Sequence, residues 1–519
     1  MSSYTNQAAN KWVIAGTVLI GTVMAVLDSS IVNVALPDMR GTLGATVDEI
    51  TWVVTGYILS NVIIMPIVSM LSSHFGRKNF YIASIVAFTG ASMACGLSGS
   101  LGALVFWRII QGIGGGVLIT VSQAILREVF PPEEQGVAMG LYGVGVVLAP
   151  AFGPTLGGWI TDQYSWPWVF FINVPIGVLN VFMVMRFIQD PPYLVRVKGH
   201  IDWGGLALLT MGLGALQLML ENGEKDNWFD SAFIRRLAIV AAIGLALFIW
   251  RELKSDTPAV DLRLFRNTAF ASATAIGAIL GLGLMAALFL LPLFLQTLLG
   301  YSAYESGLVL MPRGLAMAVL MPIAGRSYNR LGPRVLVGTG LAVSAYSFFA
   351  LSRLTSDVGF WDLFWPQMWQ GVGFGLIFVA LSTAALATIE RARMTSAAGL
   401  YNVVRQVFGS VGVAFSATQL TAGIARYHDV VSWHAGATDP ATLRWLQMVQ
   451  GAMRAGGADA QTATQRSLAL LDGRVTQQAA VLSYNHVFQL VTVLFLVCLP
   501  LVFFLKGVEH AVGMEVIAD

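Results

Sequence analysis

The chain has 519 residues, of which 56% fall in the set AVILMFWYC and only 11% are charged, with 54 glycines besides. Soluble domains carry about 25% charged residues, so this composition excludes an ordinary soluble enzyme and points to a chain threaded many times through a membrane. The 30 Lys and Arg nearly balance the 28 Asp and Glu, which gives no sign of a nucleic-acid partner, and two cysteines with six scattered histidines offer no disulfide framework or metal cluster.

The first apolar run starts after Lys11 and continues past Asp28 to Pro37 without a small-residue cleavage site, so it reads as a retained span rather than a signal peptide. It is counted as 12–35. Further windows predict spans near 50–72, 79–99, 101–125, 136–160, 167–188, 202–222, 234–250, 268–292, 304–325, 334–353, 360–386, 396–420 and 483–505. These fourteen windows predict an all-α polytopic membrane protein. The eighth is the weakest, because Arg235 and Arg236 shorten its apolar core unless they snorkel to the interface. Segment 421–482 is the main hydrophilic feature, with two short helices expected around 441–454 and 462–480.

With the amino terminus inside, the inner segments hold 17 Lys and Arg and the short outer loops 5, which puts both termini in the cytoplasm. An internal repeat supports the count. MPIVSMLSSHFGRK at 65–78 aligns without gaps to MPIAGRSYNRLGPR at 321–334, an offset of 256, and QGIGGG at 111–116 pairs with QGVGFG at 370–375, an offset of 259. Two related halves with their basic loops on one side need an even number of spans between them. The expected organisation is a six-span bundle at 1–190, a two-helix hairpin at 191–265 (spans seven and eight), and a second six-span bundle at 266–519.

Asp28 is the one acid well inside a predicted span. A carboxylate at a helix centre costs about 2.5–3.5 kcal/mol on the insertion scale, so it needs a partner, water or a proton. Two readings follow: a proton-coupling group whose protonation depends on conformation, or a pin between the first and fourth spans. Arg108, at comparable depth in span four, is the expected partner. Arg313 in span ten and Arg405 in span thirteen are further embedded cations, the latter assigned to gating or packing. Met24, Phe289, Met311 and Phe374, with Asn33, Gln111 and Arg313, are candidates for the wall of a substrate cavity, since adaptable Met and aromatic surfaces suit varied ligands. In span five, Gly145, Gly153, Gly157 and Gly158 permit close helix approach while Pro150 and Pro154 bend the helix. QGIGGG lies in an apolar span with no strand before it and no Walker lysine after it, so it is not a nucleotide site. No cofactor and no catalytic constellation is expected.

The motifs and their order resemble the major facilitator superfamily, more narrowly its fourteen-span drug:proton antiporters of the EmrB type. LDSSIVNVALP (27–37), RIIQGIGGG (108–116), GVGVVLAPAFGPTLGG (143–158), WVFFINVPIG (168–177), PRGLAM (312–317) and YNVVRQVFGSVG (401–412) are similar to that family's segments. The resemblance implies proton-driven multidrug efflux by alternating access, protons as the coupling ion, and assistance from Arg108 in proton movement. It also ties the span-five pattern to antiport and implies a bacterial inner membrane. Substrates would be lipophilic small molecules met in membrane lipid, with an EmrA-type periplasmic adaptor and a TolC-type outer-membrane channel as partners. A dedicated exporter of one metabolite, lipid, aromatic acid or siderophore is the alternative. The family's cytoplasmic loop motif corresponds here to Gly76, Arg77 and Lys78 and, in the second half, to Asn329, Arg330, Gly332 and Arg334. Ser69, Ser73 and His74 replace its usual Gly and Asp-Arg pair, so the loop's charge relay is not carried over.

Overall fold

The computed structural model describes residues 11–190, 202–255, 258–435 and 439–506, and every regular element among them is helical. Arg196 and Lys198, two of the 17 inner cations counted above, lie outside the described residues. The first half comprises α1 (Lys11–Leu43), α2 (Val47–Phe75), α3 (Arg77–Gly96), α4 (Leu101–Val129), α5 (Gln135–Gln163) and α6 (Trp168–Phe187). A hairpin follows, α7 (Trp203–Asn222) and α8 (Ala232–Lys254). The second half begins with α9 (Thr268–Thr297). Next comes the run Ala303–Leu351, broken at Gly332, where φ is +75°, into α10 (303–331) and α11 (333–351). After these come α12 (Phe360–Ala387), α13 (Met394–His434), α14 (Pro440–Ala455) and α15 (Ala460–Val497).

Among the described residues, twelve helices are long and apolar enough to cross a membrane, and α5, bent by 42° between Pro132–Pro150 and Thr155–Gln163, is a thirteenth. The 49 residues of Ala303–Leu351 would form a rod of about 74 Å. An apolar core is about 30 Å thick, so the break at Gly332 makes that run two crossings, which gives the fourteen expected. The weak eighth span is a full helix of 23 residues. Arg235 sits in its first turn and turns back to the carbonyls of Phe229 and Asp230, at 2.7 and 3.1 Å, and residues 237–250 beyond it are uncharged and apolar.

Two boundaries differ from expectation. The span windows at 396–420 and 483–505 underestimate α13 and α15, which have 41 and 38 residues. Both run well beyond an apolar core, so segment 421–482 is no independent loop: the helix expected at 462–480 is the first half of α15. Only α14 is separate, and it matches the expected 441–454. The extensions are held by His428 Nε2 against Asp472 Oδ1 at 3.1 Å and by Ser483 Oγ donating to Leu420 O at 2.8 Å. The period of the pattern is helical on both sides of the interface, but a hydropathy window registers only the apolar side.

The repeat seen in the sequence recurs in the backbone. Gly76, between α2 and α3, has φ +83°, and its counterpart Gly332 has φ +75°, conformations for which glycine is the natural residue. Where the halves meet, the same correspondence builds the seal. A side chain on Gly140 of α5 would lie 2.9 Å from Met321 O of α10, and one on Gly399 of α13 would overlap Met65 O of α2. Gly136 and Gly325 touch backbone to backbone beside them. Asn402 Nδ2 donates to Gln123 Oε1 at 2.7 Å and Asn329 Nδ2 to Glu133 O at 2.5 Å across the same junction. All these contacts lie toward the end that carries the basic loops, so the halves are closed on their basic face. Small residues there let the backbones approach, the main source of helix association where lipid replaces water.

The hairpin bridges the halves on one side. Leu213 packs with Val62 of α2 and Val403 of α13, and Gln217 Nε2 donates to Ser410 Oγ at 2.8 Å. Trp228 Nε1 donates to Thr418 Oγ1 at 2.8 Å. At its basic end, Arg251 holds Asp202, the N-cap of α7, with Nη2 at 2.7 Å from Oδ1. This guanidinium keeps the Asp202 carboxyl below the usual carboxylate range.

Because Gly399 has no room for a side chain, Gly399→Val is expected to hold the basic face open. The measurement is alkylation of a cysteine placed at the buried Ser396, which should react several-fold faster in the valine background.

Candidate functional site

Asp28 sits 17 residues into α1 and is 1% exposed, a depth at which a lone carboxylate has no water to rely on. Three neighbouring side chains replace that water. Arg108 Nη1 of α4 lies 2.5 Å from Oδ2, while Gln111 Nε2 and Asn173 Nδ2 of α6 each donate to Oδ1 at 2.8 Å. The i, i+3 spacing of Arg108 and Gln111 puts both on one face of α4, and Arg108 Nη1 also donates to Gln111 Oε1 at 2.9 Å. Arg108 Nε donates to Val53 O at 3.0 Å, and the guanidinium lies 4.3 Å from the centre of the Tyr57 ring, a buried cation–π contact. Tyr57 in turn donates to Ala25 O at 2.9 Å, one turn before Asp28.

Sequence reasoning found Asp28, Arg108 and Gln111 but assigned no role to Asn173 or Tyr57. Asn173 is a polar residue within the apolar run WVFFINVPIG, and that was the available signal. Gln111, expected on a cavity wall, is a ligand of the carboxylate instead.

The span-five pattern packs on the same helix. Gly145 faces Val23 and Gly153 faces Ser30, while a side chain on Gly157 would lie 2.9 Å from Ile31 O. Ser30 Oγ donates to Pro150 O at 3.1 Å, two residues from Asp28. Gly158 has room to spare, and the side chain of Pro154 lies outside the described residues. These glycines therefore pack α5 onto α1 within the first half. The junction with the second half uses Gly136, Gly140 and Gly143, which precede or open the pattern.

A sequence model of the Major Facilitator Superfamily matches residues 18–413, about three quarters of the chain. The chain belongs to the major facilitator superfamily. Among its relatives, the fatty acid resistance protein FarB of Neisseria gonorrhoeae is 34% identical over 493 residues, covering 94% of this chain and 95% of FarB. The multidrug export protein EmrB of Escherichia coli (strain K12) is 35% identical over 488 residues, 94% of each chain. Among solved structures, the human organic anion transporter TETRAN superposes with a TM-score of 0.62 at 14% identity, covering 95% of this chain and 99% of that one. The proton:xylose symporter XylE gives 0.59 at 13%, covering 94% and 95%. The molecule is thus a multi-pass membrane transporter.

The remaining residues of this facilitator fold into distinct surroundings. Met24 is 1% exposed in the main core, and Phe374 stacks among Phe348 and Phe495 with ring centres 6.1 Å from each, so both fill bundle cores rather than an open wall. Phe289 is half-buried, whereas Asn33 and Met311 are exposed. Arg405 is half-buried at the junction, with Nη2 3.1 Å from Asn402 Oδ1 and its guanidinium 5.1 Å from the Phe378 ring. In the basic loops, Arg77 pairs with Glu128 at 2.8 Å, and Lys78 Nζ donates to Met185 O at 2.7 Å. Arg334 Nε donates to Leu505 O at 3.0 Å, and Arg330 is exposed. These loop contacts brace helix ends within each half.

Removing one member of a buried ion pair strands the other, typically at a cost of about 3–5 kcal/mol. Arg108→Gln is therefore expected to lower thermal stability sharply. The double variant Arg108→Gln with Asp28→Asn should recover much of the loss, and melting of purified protein measures both.

Proposed function

We propose that the protein is a proton-driven exporter of lipophilic compounds, working by alternating access in a bacterial inner membrane with both termini in the cytoplasm. The observation that carries this reading is the sealed pair of Asp28 and Arg108 at membrane depth, the sort of ionisable site that spans retain for function. A proton on Asp28 removes the charge that Arg108 neutralises and converts an acceptor into a donor, so the network about Gln111 and Asn173 must rearrange. The Ser30–Pro150 bond passes such a rearrangement to the bent α5, whose first turns form the seal between the halves. With Asp28 closed off on the basic-face-closed form, proton exchange belongs to another state, and that separation is what coupling requires. One charge crossing 100 mV supplies about 2.3 kcal/mol, enough for a useful gradient with one proton per cycle. The names of EmrB and FarB, a multidrug export protein and a fatty acid resistance protein, support lipophilic cargo of broad range.

The test uses purified protein in liposomes with an imposed pH gradient, following a lipophilic dye and internal pH together. Wild type should move dye against proton counterflow, and Asp28→Asn, which leaves Arg108 unpaired and lowers the melting temperature, should still reconstitute as folded protein below its melting point yet lose gradient-driven movement. Undiminished gradient-driven transport by the variant would leave Asp28 as a structural pin.

The projecting α13–α14–α15 assembly is proposed as the docking point for an EmrA-type adaptor leading to a TolC-type channel. Its helices are tied by Arg474 over Trp445 at 4.8 Å and by Gln450 Nε2 donating to Ser467 Oγ at 3.2 Å. Deleting 430–475 is expected to abolish adaptor retention in a pull-down while dye transport in liposomes persists; retained adaptor would move docking elsewhere.

A further inference from the structure

The second half contains a copy of the Asp28 site from which the carboxylate is missing. The repeat offsets pair Tyr57 with Arg313, Arg108 with Gln367 and Gln111 with Gln370. The cation has thus moved from the fourth-span position to the second-span position, yet it reaches the same atom. Arg108 Nη1 donates to Gln111 Oε1 at 2.9 Å, and Arg313 Nη1 donates to Gln370 Oε1 at 3.1 Å. In the first half the other end of the glutamine, Gln111 Nε2, holds Asp28. In the second half Gln370 Nε2 is buried with no partner among the described residues, and so are both amide atoms of Gln367.

Among the described residues, no acid of the second half supplies the charge. α9, the counterpart of α1, has no Asp or Glu in its 30 residues. The acids of α10 and α12, Glu305 and Asp362, lie in first turns and cap their own helices. Arg313 is 5% exposed and lies ten residues into α10, about 15 Å from its end and near the middle of the apolar layer. A guanidinium at that depth is stabilised by an anion, and the buried amide donors beside it are suited to bind the same one.

We propose that Arg313, Gln367 and Gln370 form a binding site for a compact monovalent anion, best matched by the carboxylate of a lipophilic acid. The first half fixes an internal carboxylate with one guanidinium and two amide donors, and the second half offers one guanidinium and two glutamine amides to a carboxylate from outside. The apolar body of such an acid suits the surrounding spans. The proposal deepens the export reading and takes its meaning from it, but its test is a binding measurement that stands whether or not transport is observed.

The experiment measures equilibrium binding of radiolabelled laurate and of dodecanol, its uncharged counterpart, to purified full-length protein in nanodiscs. Arg313→Gln is expected to weaken laurate binding about tenfold or more, as loss of a charge-assisted contact does, and to leave dodecanol unchanged. Gln370→Glu places a carboxylate beside Arg313. It should fold with an equal or higher melting temperature and also lose laurate, which keeps the test decisive if Arg313→Gln is unstable. Chloride titrated in place of gluconate identifies the source of the anion. Competition with laurate and a raised melting temperature in wild type, absent from both variants, would make a free halide the resident ligand of the same site. Laurate affinity equal to wild type in folded Gln370→Glu would overturn the proposal.

Discussion

A carboxylate buried inside a helical bundle and held by one guanidinium and two amides is the constraint around which the first half is arranged. The charge of Asp28 can be buried only if α1, α4 and α6 keep register to within a hydrogen-bond length, because each contributes a separate side chain. Tyr57 adds α2 to that agreement by lying against the guanidinium. Apolar packing in a membrane is tolerant of sliding, since lipid tails are as good a neighbour as leucine. A buried ionic network is not tolerant, and it therefore holds this half in one arrangement rather than a continuum.

Coupling of that arrangement to the rest of the molecule runs through contacts that lack side chains. α5 lies so close to α1 that Gly153 and Gly157 meet Ser30 and Ile31, and its opening turns meet α10 through Gly136 and Gly140. The second half answers with Gly399 of α13 on α2. Backbone-to-backbone contact is stiff, with no rotamer to absorb a shift, so a displacement of α1 is passed on rather than dissipated. The hairpin α7–α8 spans the α2–α13 side of this junction by way of polar contacts such as Gln217 to Ser410, which suit surfaces that must rearrange.

Much of this was legible in the sequence for identifiable reasons. Span number followed from hydropathy because apolar length is dictated by bilayer thickness, and an even count followed from the repeat. Asp28 stood out because an intramembrane acid is costly, and Arg108 because a cation at the same depth answers it. Asn173 and Tyr57 were missed because neutral polar residues carry no comparable penalty, so a single Asn or Tyr in an apolar run raises no alarm. Phe374 and Met24 look like cavity residues in a linear reading, but composition alone cannot distinguish a wall from a core. The lengths of α13 and α15 were hidden by their change from apolar to polar surface midway. The site beside Arg313 is legible only from the repeat and the fold together, since it is defined by which atom of Gln370 is left without a partner among the described residues.

The continuity of α13 across the membrane boundary has a mechanical result. At 41 residues it is a rod of about 62 Å, roughly twice the apolar thickness, and α15 runs alongside it. With about 30 Å of that rod beyond its midpoint, each degree of tilt within the membrane sweeps the far tip sideways by about half an ångström. The far tip is thus a lever whose position reports the stance of the second half, and a body resting against it would feel each change of stance as a stroke.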